Sequence, residues 1–242
     1  MFDDTLVEED IHPAYLSSGR TDTGRVRASN QDAFIDQNDA CLWAVADGMG
    51  GHRDGDVASR MVCEALKTFA TGGTLDDCIQ DLGQRVGKVN AELYAASVRA
   101  INPVQSGSTV VMLVARRTAC AMLWAGDSRI YRLRDRKLVQ MTTDHTWATE
   151  LQLGEEAEES DHAITRAVGG EATLLLDVRR DRVRLGDRYL LCSDGLTREL
   201  STHQIAALLG EGDAQQATKA LIDATLAHGA RDNVTVIVVD AN

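Results

Sequence analysis

Short apolar runs that end at an aspartate recur along this 242-residue chain. Three such runs stop at Asp47, Asp127 and Asp194, and a fourth aspartate, Asp232, stands just before the run that begins at Val234. Short apolar runs bounded by turn residues are typical of buried strands, so each carboxylate is expected at the rim of a packed sheet. Carboxylates gathered at one rim repel one another unless a cation neutralises them, and all-oxygen ligand sets select hard ions such as Mg²⁺ or Mn²⁺. The pattern therefore predicts a metal cluster.

A simpler interpretation of each aspartate is a turn residue. Asp47-Gly48 and Asp194-Gly195 are pairs that commonly form turns. Any one aspartate is explained well enough in that way. Four of them at strand ends, three within distinctive short motifs, are harder to explain as turns and favour the metal site.

The order of the predicted elements indicates the fold class. Many short strands, joined by tight turns typical of antiparallel pairing, are interrupted by two predicted pairs of helices. This order excludes a doubly wound parallel sheet and favours an α+β fold, a four-layer α-β-β-α sandwich of two mainly antiparallel sheets flanked by helix pairs. The strands are expected within 15–37 (two strands), at 41–46, within 107–141 (four strands in a meander), and at 174–183, 188–192 and 234–240. The helices are expected as two within 58–100, and at 202–209 and 214–228.

Composition limits the classes of protein that the chain resembles. The sequence has only two prolines and no low-complexity linker, so we expect a loose acidic N-terminus at 1–14 and a single domain at 15–242. The net charge of −12 argues against binding to nucleic acid or to anionic lipid. No apolar run approaches the roughly 20 residues that span a bilayer, and the acidic N-terminus lacks a signal pattern. With five cysteines and no Cys-x-x-Cys pair, the chain is expected to be cytoplasmic, with reduced thiols.

Six motifs in order make the chain resemble the PPM family of metal-dependent serine/threonine protein phosphatases, also called type 2C, and specifically its compact bacterial members. They span nearly the whole chain, and this order is much more specific than any single motif. The motifs are Arg27-Ala28-Ser29-Asn30-Gln31-Asp32, Ala46-Asp47-Gly48-Met49-Gly50-Gly51-His52, Ser106-Gly107-Ser108-Thr109, Gly126-Asp127-Ser128-Arg129, Ser193-Asp194-Gly195-Leu196 and Arg231-Asp232-Asn233-Val234-Thr235.

The resemblance implies two tightly bound Mn²⁺ or Mg²⁺ ions. Asp47 would bridge both ions, the carbonyl of Gly48 would bind one, and Asp194 and Asp232 would complete the ligand set. Asp32 would help to hold the water molecules of the metal centre. A third, weaker ion would lie between Asp127 and Asp194.

The resemblance also implies that Arg27 holds the substrate phosphate. A guanidinium group binds two phosphate oxygens with fixed geometry, which an ammonium group does not. Arg20 and Arg25 lie nearby, and Arg27 is preferred only for its spacing to Asn30-Gln31-Asp32. The motif Ser106–Thr109 is interpreted as a turn and the start of a strand, without a ligand role.

Two positions depart from the family pattern. Gln31 is neutral where the family often has a glutamate, and Met49 stands where eukaryotic members have a histidine proposed as the general acid. The acid that protonates the leaving group is therefore unassigned, and a metal-bound water, His52 or His162 are alternatives. Residues at about 145–170, which include an acidic run, correspond in position to the family's flap.

The resemblance implies hydrolysis of phosphoserine and phosphothreonine in proteins by water activated by two metal ions. Because a phosphomonoester is extremely inert, such activation is needed. The expected partners are phosphorylated proteins and the pathway of a cognate eukaryotic-type Ser/Thr kinase, in cell-wall, stress or secretion signalling; the chain is expected to be a monomer. The alternatives are a non-catalytic module of the same fold that binds a phosphoprotein or kinase, and a hydrolase of small phosphate esters.

Overall fold

The computed structural model describes residues 13–50, 55–70, 72–99, 106–154, 158 and 163–242. The predicted loose segment 1–14 lies almost entirely outside these residues. The strands are β1 (Tyr15–Asp22), β2 (Asp32–Gln37), β3 (Leu42–Met49), β4 (Gly107–Ser108), β5 (Val110–Arg116), β6 (Ala119–Ala125), β7 (Arg129–Arg134), β8 (Lys137–Gln140), β9 (Asp177–Arg182), β10 (Arg188–Cys192) and β11 (Val234–Ala241). The helices are α1 (Gly55–Lys67), α2 (Leu75–Arg99), α3 (Trp147–Glu150), α4 (Asp194–Thr197), α5 (Thr202–Leu209) and α6 (Ala214–His228).

The strands form two sheets, and every pairing within the described ranges is antiparallel. One sheet has the order β1-β11-β10-β7-β8, and the other has the order β2-β3-β5-β6-β9 with β4 paired to β3. The α1–α2 pair lies between β3 and β4 in the chain, and the α5–α6 pair precedes β11. This arrangement confirms the predicted α+β class.

The four layers arise because successive side chains of a central strand point to opposite faces of its sheet, one toward the other sheet and the next toward the helices. In β3, Trp43 and Val45 belong to the core between the two sheets, whereas Leu42, Ala44 and Ala46 pack with α1 and α2. The β11 side chains divide in the same way between the inter-sheet core and a third core under α5 and α6. Strands buried on both faces explain why these runs are continuously apolar.

Two details differ from the sequence interpretation. The four-strand meander predicted between Gly107 and Met141 is instead five strands in two sheets, because β4, β5 and β6 pair within one sheet and β7 and β8 belong to the other. The chain crosses at Gly126, whose φ of +108° and close contact with Thr109 leave no room for a side chain. Asp47 also lies within β3 rather than after it, since the strand continues to Met49 through pairing with β4.

No helix in the described ranges has both the length and the apolar character needed to cross a bilayer.

Candidate metal and phosphate site

The predicted site residues lie at one end of both sheets. β3 reaches that end at Asp47, and Asp127 follows β6 at the crossing between the sheets. Asp194 follows β10, while Asp32 and Asp232 stand at or just before the first residues of β2 and β11. Antiparallel pairing explains this convergence, because the ends of some strands then lie beside the beginnings of their neighbours.

Asp32 and Asp47 are directly paired residues on β2 and β3. Asp32 also bridges the two sheets, since its Oδ2 atom accepts hydrogen bonds from Ser193 Oγ at 2.8 Å and from Thr235 Oγ1 at 2.7 Å. Its buried Oδ1 atom has no hydrogen-bond partner among the described residues. Burial raises the pKa of Asp32 to about 6, although the two hydroxyl donors oppose that shift.

The motif Ser106–Thr109 fixes the backbone of Asp47. The Thr109 amide donates to Asp47 O at 2.8 Å, the Asp47 amide donates to Thr109 Oγ1 at 3.1 Å, and Ser108 Oγ donates to Asp47 O at 3.0 Å. Burial, followed by repulsion from Asp32 and then Asp194, raises the pKa of the Asp47 carboxyl well above its usual range. The motif therefore positions Asp47 and supplies no charged ligand of its own.

Gly48 leaves the backbone next to Asp47 free of a side chain. A Cβ atom at this position would lie 2.0 Å from the carbonyl oxygen of Gly55, at the start of α1. The Gly48 amide donates to Gln31 O at 3.1 Å. This close packing holds Asp47-Gly48 against the segment that carries Asp32.

Asp127 and Asp194 lie on the wall of the same cavity. Burial, followed by repulsion from Asp194, raises the pKa of Asp127 to about 7. Its Oδ1 atom is buried and has no hydrogen-bond partner in the described part of the chain. Asp194 contacts a cation, because Arg198 Nη2 lies 2.7 Å from Asp194 Oδ2.

Arg27 forms a two-point ion pair with Asp232. Its Nε and Nη2 atoms donate to the two carboxylate oxygens of Asp232, both at 2.7 Å. These hydrogen bonds raise the pKa of the Arg27 guanidinium further above its usual value. The Arg27 side chain is still 55% exposed, and it lines the cavity that Asp127 and Asp194 share.

Asn233 holds the loop that carries Arg27. Its Oδ1 atom accepts from the Gln31 amide at 2.9 Å, and its Nδ2 atom donates to Thr23 O at 2.9 Å and Ser29 O at 3.0 Å. Asn233 is buried and immediately follows Asp232. One residue therefore fixes the relative positions of the arginine and the carboxylate that it binds.

Arg27, Asp127, Asp194 and Asp232 line a cavity of about 720 Å³, whereas Asp32 and Asp47 are not among its lining residues. Thr146 and Ala163, from the segment compared above with a flap, form part of its rim, and an isolated bridge joins Thr146 to Ile164. The cavity is lined by Arg27, Asp127, Arg129, Asp144, Thr146, Ala163, Asp194, Gly195, Thr197, Arg198, Glu199, Arg231 and Asp232. His52 and His162 lie outside the described residues.

The carboxylates have the chemistry of a site for hard divalent ions. Asp32 and Asp127 each keep a buried oxygen without a hydrogen-bond partner among the described residues, and the carboxyl groups raise one another's pKa. Among those residues no three Asp, Glu, His or Cys side chains are drawn together as a complete ligand set. Arg27 and Arg198 instead neutralise Asp232 and Asp194. The donors fit Mg²⁺ or Mn²⁺, provided that these guanidinium groups share the carboxylates with the ions.

Four residues without a predicted role also contact the predicted site residues or their loops: Ser193, Asn233, Thr235 and Arg198. For Ser193 and Asn233 the available signal was their position directly beside a predicted ligand aspartate, and for Thr235 it was its place three residues after Asp232 in the same motif. For Arg198 the signal was the i,i+4 spacing from Asp194, which places both side chains on one face of a helical turn.

The sequence matches the protein phosphatase 2C family over residues 23–232. A similar protein is the serine/threonine protein phosphatase PstP of Mycobacterium tuberculosis, which is 36% identical over 231 residues. That match covers 92% of this chain but only 44% of PstP, so the chain spans less than half the length of this relative.

Solved structures show the same fold. PppA, described as a key regulatory component of the T6SS in Pseudomonas aeruginosa, superposes with a TM-score of 0.89 at 35% identity, over 96% of this chain and 99% of PppA. The catalytic domain of PstP in complex with two manganese ions superposes with a TM-score of 0.83 at 35% identity, over 93% of this chain and 97% of that domain.

Proposed function

The chain belongs to the protein phosphatase 2C family, and we propose that it hydrolyses phosphoserine and phosphothreonine in proteins with two bound Mn²⁺ or Mg²⁺ ions. The observation that supports this proposal best is the convergence of five aspartates from both sheets, together with Arg27, at one end of the molecule. The similarity to a phosphatase domain that binds two manganese ions supports the choice of cofactor.

The aspartates would hold the ions in the roles that the motifs assign. Asp47 would contact both ions, with the carbonyl of Gly48, Asp194 and Asp232 completing the set and Asp32 orienting water from its position between the sheets. When bound, two such ions lower the pKa of a water molecule and neutralise phosphoryl oxygens. Ser193 and Thr235 hold Asp32 in place by their hydrogen bonds to Oδ2, and Thr109 fixes the backbone of Asp47.

Arg27 would bind the substrate phosphate. Its Nε and Nη2 atoms already make the two-point contact with a carboxylate that they would make with two phosphate oxygens. We infer that Arg27 exchanges Asp232 for phosphate, which releases the Asp232 oxygens to the metal centre. Asn233 keeps the Arg27 loop in place during this exchange, because it is bonded to both Thr23 and Ser29.

We place the chain as a single catalytic domain at 15–242, with residues 145–170 as its flap, and as a monomer opposite a Ser/Thr kinase. The similarity to PppA favours secretion signalling over the other pathways considered above. All five cysteines are free, which fits a reducing cytoplasm.

Phosphopeptide hydrolysis with and without metal tests the proposal. Activity is expected to need Mn²⁺ or Mg²⁺, and Asp47→Asn and Asp194→Asn are each expected to lower kcat by at least about 100-fold. Asp135→Asn is the matched control, because Asp135 is exposed in the turn between β7 and β8.

Three outcomes would contradict the proposal. Full activity in excess chelator would exclude the metal mechanism. Binding of a phosphoprotein without turnover would support the non-catalytic module, and turnover of a small aryl phosphate but no phosphopeptide would support a small-ester hydrolase.

A further inference from the structure

Arg198 lies at the end of the short helix that begins with Asp194. Its Nη2 atom lies 2.7 Å from Asp194 Oδ2, and its Nη1 atom lies 4.0 Å from Asp232 Oδ2. The backbone amide of Arg198 also donates to Asp194 O at 2.9 Å, which fixes the four-residue spacing. The Arg198 side chain is 54% exposed, and its guanidinium group contacts Asp194 and lies within ion-pair distance of Asp232.

Arg198 also shares a cavity with Asp127, because both side chains line it. Asp127 and Asp194 are the pair to which the sequence resemblance assigns a third, weaker ion. The structure thus places a cation against Asp194, one member of this pair, in the cavity that the other member lines.

The charges of the site make this arrangement significant. The five aspartates carry up to five negative charges, and two divalent ions supply only four positive ones. In the absence of phosphate Arg27 pairs with Asp232, and Arg198 is the cation that contacts Asp194. An exposed i,i+4 ion pair usually contributes little to folding stability. Asp194, however, is only 14% exposed and belongs to the proposed metal centre.

We propose that Arg198 serves as the cation at the Asp127–Asp194 pair and thereby weakens the binding of a third divalent ion. This inference rests on the proposed two-ion centre. A carboxylate has two oxygens with about four lone-pair sites, so Asp194 can bind a metal ion through one oxygen while the other accepts from Arg198.

Titration with Mn²⁺ by calorimetry tests the inference without reference to activity. The wild-type protein is expected to bind two ions, and Arg198→Ala and Arg198→Gln are expected to bind a third ion at least about tenfold more tightly than the wild type does, because a nearby unit charge is removed. Lys219→Ala is the matched control, since Lys219 forms an exposed i,i+4 pair with Asp223 on α6. Arg198→Ala combined with Asp127→Asn is expected to bind two ions again.

The results separate this inference from the proposed function. Two ions bound in the wild type and a third gained in both Arg198 variants, but lost in the double variant, would support it. Two ions in the wild type with unchanged binding in the Arg198 variants would overturn this inference alone, as would three tight ions in the wild type. A wild-type protein that binds no Mn²⁺ would overturn the metal centre of the proposed function, and this inference with it.

Discussion

Gly195→Ala is expected to lower the free energy of unfolding, because the metal-site end of the two sheets has no space for a methyl group at position 195. A Cβ atom at Gly195 would lie 1.9 Å from the carbonyl oxygen of Asn233 and 3.0 Å from its carbonyl carbon. The Asn233 backbone would have to move by roughly 1.5 Å to restore an ordinary contact. Asn233 is buried and held by hydrogen bonds to three other residues, so its displacement costs free energy.

The expected cost is at the upper end of the range for overpacking, about 3 kcal/mol in the free energy of unfolding. For a chain of this size, each kcal/mol corresponds to about 2–4 °C, so the Tm is expected to fall by about 6–12 °C. The same displacement would move Asp232 and the Arg27 loop, so kcat/KM for a phosphopeptide is expected to fall even at temperatures where the variant is folded.

Gly83→Ala is the matched control, with the opposite sign. Gly83 lies within α2, and an added Cβ would meet no atom within 4 Å. Replacing glycine by alanine inside a helix stabilises it by about 0.5–1 kcal/mol, so the Tm is expected to rise by a few degrees. Thermal unfolding followed by circular dichroism, in Mn²⁺ and in chelator, measures both variants. A Gly195→Ala protein with a Tm at or above that of the wild type would refute the steric argument.

Three further outcomes are expected. Arg27→Lys is expected to lower kcat/KM for a phosphopeptide by about 10–100-fold, because the two-point contact is lost although the charge is kept. Arg25→Lys, at an exposed position, is expected to have little effect. Steady-state kinetics that show the reverse order would mean that the wrong arginine was assigned. Removal of metal with chelator is expected to lower the Tm, because an ion bound only by the native state stabilises it by about 2.7 kcal/mol when the free ion concentration is a hundred times its Kd. An unchanged Tm would argue against tightly bound ions. Thr235→Val is expected to cost about 1–3 kcal/mol by urea denaturation, because Asp32 Oδ2 loses a buried donor; unfolding at the wild-type urea concentration would contradict that role.

Local sequence information was sufficient for the helices near the C-terminus. The predicted ranges 202–209 and 214–228 coincide with α5 and α6. Each begins with a capping box, Ser201 with Gln204 and Asp213 with Gln216, in which the partners lie three residues apart. The strand β11 was also predictable from its continuously apolar run, because such a run is typical of a strand that is buried on both faces.

The sequence also located the site residues, but it did so through motifs and not through geometry. Strand-end aspartates and the family resemblance named Asp32, Asp47, Asp127, Asp194 and Asp232, and the structure places all five at one end of the sheets. The sequence did not show that β3 continues beyond Asp47, because that extension depends on pairing with β4, almost sixty residues later in the chain.

Only the tertiary structure decided which groups the charged side chains contact. Arg27 binds Asp232 although 205 positions separate them, and Thr235 and Ser193 meet Asp32 across the gap between two sheets. The division of the strands between 107 and 141 into two sheets is likewise decided by the turn at Gly126 and its close packing on Thr109. Periodicity and capping describe neighbours within a few residues, whereas these contacts arise from the burial of several strands together, which brings distant residues into one low-dielectric site.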